Sequence, residues 1–136
     1  MQFRHRQCQE GHVLITIVRI VLLGLGVLTL PLAAGFLLAP ARVALRLGLE
    51  PTGPVGLSTL RGDFFALFLM FGLTAIYASV RNRSDVLIIP MIMIAVIILG
   101  RLFSAVVDGS GPEALPLIAV EVVMLAIVFL GYRTLP

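Results

Sequence analysis

The stretch GRLFSAVVDGSGPEALPLIAVE, residues 100–121, decides how this chain folds. It begins as the end of an apolar helix that carries Arg101, Ser104 and Asp108. It then turns through DGSGPE (108–113) and re-enters an apolar run that contains Glu121. Glycine and proline punctuate the turn. The two runs hold almost no other charge, so their ionisable groups need partners: a charge at a bilayer centre costs about 2.5–3.5 kcal/mol on insertion scales.

The rest of the chain repeats the pattern. It is 60% hydrophobic, 12% charged and free of Trp, whereas soluble domains hold roughly 25% charged residues. Four apolar segments stand out, at 13–38, 57–80, 86–107 and 114–132. Each is long enough to cross a hydrocarbon core about 30 Å thick at about 1.5 Å per helical residue. They use about two thirds of residues 1–136 and leave no connection long enough for a further domain, so the expected fold is all-α, a single domain forming a four-helix transmembrane bundle. The first segment is far longer than the roughly 7–15 residues of a signal h-region and reads as a retained helix.

Between the first two segments, PARVALRLG (40–48) sets Arg42 and Arg46, and Val43 and Leu47, four residues apart. Proline opens it and glycine closes it. That spacing predicts a short interfacial helix in the first outer loop. PTGP (51–54) reads as a turn back into the bundle. Ser84 is a candidate N-cap for the third span, and the residues before 13 read as a solvated tail. Arg19, two turns into the first span, reads as snorkelling to the headgroups. Gly24-Leu-Gly26 lacks the rest of a nucleotide loop and reads as a packing patch, as does the pair Ala75 and Ser79.

The ten basic residues are all arginine, and they are scattered rather than run together, so nucleic-acid binding is not indicated. Arg4, Arg6, Arg81, Arg83 and Arg133 fall on one side of the bundle against Arg42 and Arg46 on the other. The positive-inside rule then places both termini in the cytoplasm. Cys8 is the lone cysteine and His5 and His12 lack metal-ligand spacing, so no metal or cofactor is expected.

In this topology the second span begins, the third ends and the fourth begins at one membrane face. Arg61 and Asp63 open the second span. Arg101 lies about 10 Å and Glu121 about 12 Å from the ends of theirs. The expected site is one charge cluster: Arg101 bridges Asp63 and Glu121, Arg61 and Asp108 form a wetter layer, and Ser104 shares the face of Arg101 and Asp108. It reads either as a latch fixing helix register or as the wall of a cavity. With no His or Cys nearby and no base of the right type for Ser104, catalysis has the weakest support.

LRGDFF (60–65), GRLFS (100–104) with Asp108-Gly109, and Glu121 together resemble a family of uncharacterised bacterial four-helix integral membrane proteins, catalogued as a domain of unknown function. The resemblance covers helices 2 to 4 and extends to helix 1 in character only. More loosely, the chain is similar to the DoxX-like small membrane proteins, some of which are linked to quinone or thiol redox chemistry. This chain has no membrane Cys or His to carry that link. The resemblance implies residence in the bacterial inner membrane and singles out Arg61, Asp63, Arg101, Asp108 and Glu121, without implying a reaction.

Two functions follow as expectations. In one, the cluster holds the polar head of a lipophilic small molecule, such as a quinone or lipid, in an outer-leaflet cavity. In the other, the chain is an accessory subunit packed against a membrane protein partner, with the cluster as its latch. A small multidrug-type exporter ranks last, because the first helix carries no glutamate.

Overall fold

A computed structural model describes the backbone of residues 2–109 and 111–136 and the side chains of residues 12–109 and 115–136. The readings that fall on Arg4, His5, Arg6, Cys8 and Glu113 lie outside the described side chains. The chain is 88% helical, with no strand among the described residues. Its helices are α1 (Gln2–Leu38), α2 (Pro40–Arg46), α3 (Gly53–Arg81), α4 (Asp85–Val107) and α5 (Gly111–Thr134). All but the short α2 are long and apolar enough to cross a membrane, the architecture of a multi-pass membrane protein.

Local chemistry explains where the helices differ from the sequence reading. α1 starts at Gln2, because the Gln, Arg and Glu of its first turns are good helix formers. Gly53 and Pro54 of the PTGP segment open α3, while Pro51 and Thr52 precede it. Proline's fixed φ suits a first helical turn, where its missing N–H is no loss. Asn82, at φ 53, makes the left-handed turn that ends α3. Ser84 makes no side-chain cap; its hydroxyl and its amide both donate to the Pro136 carbonyl oxygen at 3.1 Å.

α1 and α3 pack antiparallel along a seam of small residues. A Cβ on Gly26 would stand 2.8 Å from the Gly72 carbonyl oxygen, and one on Gly72 would stand 2.7 Å from Thr29 Oγ1. Only glycine permits that approach. Thr29, buried in the seam, donates to the Gly26 carbonyl at 2.8 Å, so its hydroxyl is satisfied there. Ala75 and Ser79 are buried as expected, whereas Gly24 has open space around it.

Two apolar clusters hold the helices together, and they are not alike. The first draws on all four long helices through Val18 and Leu22 of α1, Phe71 and Ala78 of α3, Leu87 and Ile94 of α4, and Val128 of α5. It lies at the end of the bundle that holds the 82–84 turn and Pro136. The second, toward α2, contains Phe36, Ala44 and Leu60, with Phe64 and Phe68 against them. Phe36 stacks on Phe64 and Phe68 with ring centroids 5.0 and 5.6 Å apart. No described residue of α4 or α5 belongs to this cluster. The bundle is therefore four helices thick at one end and parts at the other into an α1–α2–α3 limb and an α4–α5 limb.

Candidate functional site

Arg101 lies two turns past Ile94 in α4, and Glu121 lies two turns before Val128 in α5. Residues at that spacing share a helix face, so both side chains continue the stripe of the four-helix core to where the limbs part. Arg101 Nε donates to Glu121 Oε1 at 2.6 Å, with the two side chains 36% and 15% exposed. The pair is thus partly rather than fully buried.

Its contact is one-pointed. A guanidinium commonly grips a carboxylate through two parallel N–H bonds, one to each oxygen. Here Glu121 Oε2 is buried yet accepts no hydrogen bond among the described residues. The terminal nitrogens of Arg101 likewise donate to no described residue; Nε alone is engaged. One acceptor and a set of donors stand side by side without partners.

The other expected members of the cluster lie elsewhere. Ser104 Oγ donates to Asp108 Oδ2 at 2.6 Å, a bond within the last turn of α4 that occupies the exposed Asp108. Residues 60–64, LRGDF, form a π-helical turn in α3, a wide turn that re-aims side chains. Leu60 is buried in the second cluster, while Arg61 and Asp63 are exposed. Arg61 Nε donates to the Leu37 carbonyl at 3.2 Å, and Asp63 bonds to no described residue. The bridge from Arg101 to Asp63 and the layer joining Arg61 to Asp108 are not formed. The reason is the parting of the limbs: α3 and α4 meet only sparingly beyond their shared turn, so charges at their far ends are held apart.

Arg19 carries a role that the sequence did not disclose. Its Nε donates to the Ser79 carbonyl at 2.9 Å, in the last turns of α3. Helix geometry leaves the final carbonyls without amide partners, and a cation there is favoured by the helix dipole. Arg61 does the same for α1 at Leu37, so α1 and α3 each end against an arginine of the other. The signal available was position, since an arginine two turns into one helix of an antiparallel pair is level with the last turns of its partner.

On the flank of the second limb runs an apolar groove of about 490 Å³, walled by Met91, Ile92 and Ala95 of α4 and by Val122, Leu125, Ala126 and Phe129 of α5. Alanines at positions 95 and 126 leave the furrow between larger neighbours. Glu121 immediately precedes Val122 and lies one turn from Leu125, at the groove's end nearer α2.

A model of a domain of unknown function, DUF4345, matches residues 17–132. The chain belongs to the DUF4345 family. The match takes in Arg19, both limbs and the Arg101–Glu121 pair, and it accords with the resemblance to an uncharacterised family while adding nothing to the looser DoxX likeness. Neither a search of curated proteins nor one of solved structures gives a match for this DUF4345 chain.

Proposed function

We propose that this DUF4345 protein binds or moves a small lipophilic molecule whose polar head meets the Arg101–Glu121 pair. The observation that carries the reading is the buried Glu121 Oε2 without a donor. Leaving a buried acceptor unmet costs about 1–3 kcal/mol, more for a charged group. A packing latch gains nothing from that arrangement. A binding site does, because the ligand's own donor relieves the cost.

The resemblance supports a bacterial inner-membrane protein, and the arginine distribution supports both termini in the cytoplasm. The α2 end then faces outward and the pair opens to the outer leaflet. A Glu50→Cys substitution in a Cys8→Ser background is expected to react with an impermeant thiol reagent on intact cells. Reaction only after lysis would invert the topology.

Native mass spectrometry of protein gently extracted from its own membrane tests the binding reading. The expected result is a retained small hydrophobic mass that is absent from Glu121→Gln. A stoichiometric protein partner with no small molecule would instead make the chain an accessory subunit and the ion pair its latch.

A further inference from the structure

We infer that the ligand is a single-chain amphiphile with an uncharged head bearing a hydroxyl beside a carbonyl oxygen. The hydroxyl donates to Glu121 Oε2, the carbonyl accepts from Arg101, and the chain lies in the groove between α4 and α5. This rests on the binding reading above and narrows it to a chemical class.

The head follows from which atoms of the pair lack partners. Glu121 Oε2 requires a donor, and the terminal nitrogens of Arg101 require an acceptor. A head with acceptors alone serves Arg101 and leaves Oε2 unmet. An amine serves Oε2 but sets a cation beside the guanidinium. An anionic head attracts Arg101 but faces a carboxylate that already neutralises it, and the added charge must be desolvated. A neutral hydroxyl next to a carbonyl meets both needs and adds no charge.

The chain follows from the groove. All seven wall residues are apolar and the volume is about 490 Å³. Glu121 lies outside the wall itself but one turn before Leu125 and two before Phe129, the spacing of one helix face, so a head at the pair and a chain along Leu125 and Phe129 fit one molecule.

The test uses the full chain in phosphatidylcholine nanodiscs and two probes with the same acyl chain, 1-oleoylglycerol and methyl oleate. Both carry an ester; only the first carries hydroxyls. With the unmodified protein, 1-oleoylglycerol is expected to bind roughly tenfold more tightly or better, the worth of one hydrogen bond to a charged group. Glu121→Gln, whose amide oxygen is an uncharged and weaker acceptor, should lower the ratio severalfold, and Ala126→Leu, which fills the groove, should weaken both probes by a similar factor. Equal affinities for the two probes, with an endogenous hydrophobic mass still lost in Glu121→Gln, would overturn the hydroxyl assignment while leaving the binding site in place. Unchanged affinities in Ala126→Leu would overturn the groove. No bound probe and no endogenous mass would overturn the inference and the binding reading together. The decisive comparison is made on unmodified protein, so it does not depend on a variant folding.

Discussion

The α1–α3 pair and the α4–α5 pair are both antiparallel and apolar, and both carry arginine inside a helix, yet they use it differently. In α1–α3 each cation ends on a main-chain carbonyl that helix geometry has left open. The glycine seam brings the backbones together, and the buried threonine there is satisfied. In α4–α5 the cation ends on a carboxylate in mid-helix, by one bond, and a buried oxygen is left over. A charge in an apolar helix is accounted for as structure when its partner is a helix end. It calls for a ligand when its partner is another side chain and atoms of both remain unbonded.

The sharpest way to break the comparison is at the seam. Gly26→Leu is expected to cost on the order of 3 kcal/mol or more, because the new side chain meets a backbone carbonyl that cannot turn aside. Gly24→Leu, with open space around it, should melt like the parent in detergent, followed by circular dichroism. Equal melting of the two variants would mean that the α1–α3 seam is not at Gly26.

The next effect belongs to the other limb. Arg101→Leu leaves Glu121 unpaired and should cost about 1–3 kcal/mol, below the range for fully buried pairs because Arg101 is 36% exposed. Glu121→Gln should cost less, since the amide still accepts a hydrogen bond. The double variant Arg101→Leu/Glu121→Leu should recover most of the loss, apolar residues being good substitutes for a buried pair. Simple addition of the two single losses would show that the residues do not act as a pair.

Much of this was legible from the sequence. The four spans follow from length and hydropathy, α2 from the proline and the four-residue spacings, and the Arg101–Glu121 contact from the level of each charge in its helix. Joining Asp63 to Arg101 and Arg61 to Asp108, from α3 to α4, used depth alone, and depth fixes height in a bundle but not which helices stay in contact there. The sidedness of α3 is reset by the π-helical turn at residues 60–64, which no apolar periodicity announces. The Gly26–Gly72 approach depends on where two helices cross, a property of both together. Glycine 24 and glycine 26 looked equivalent because each was read within a single helix.

Arginine caps should give smaller effects than either the seam or the ion pair. Arg19→Gln removes a cation from a partly buried helix end and should cost about 1 kcal/mol. Arg61→Gln acts at an exposed end, through a longer bond of 3.2 Å, and should cost only a few tenths of a kcal/mol. A thermal melt of each variant ranks them. The reverse order would place the tighter contact of the α1–α3 pair at its α2 end.

The smallest effect separates two acidic residues that look alike in sequence. Asp63 and Glu121 both sit inside apolar helices near the same end of the bundle, but Asp63 is exposed and bonded to no described residue, while Glu121 holds Arg101. Asp63→Asn should therefore shift stability by no more than about 0.5 kcal/mol, as surface substitutions generally do. Glu121→Gln should lie clearly above it. Should Asp63→Asn prove as damaging as Glu121→Gln, and should its loss vanish in an Arg101→Leu background, then Arg101 reaches both carboxylates and the two limbs close on each other. The open donors of Arg101 would then be met by the Asp63 carboxylate, and the case for a ligand's acceptor at that pair would fall with them.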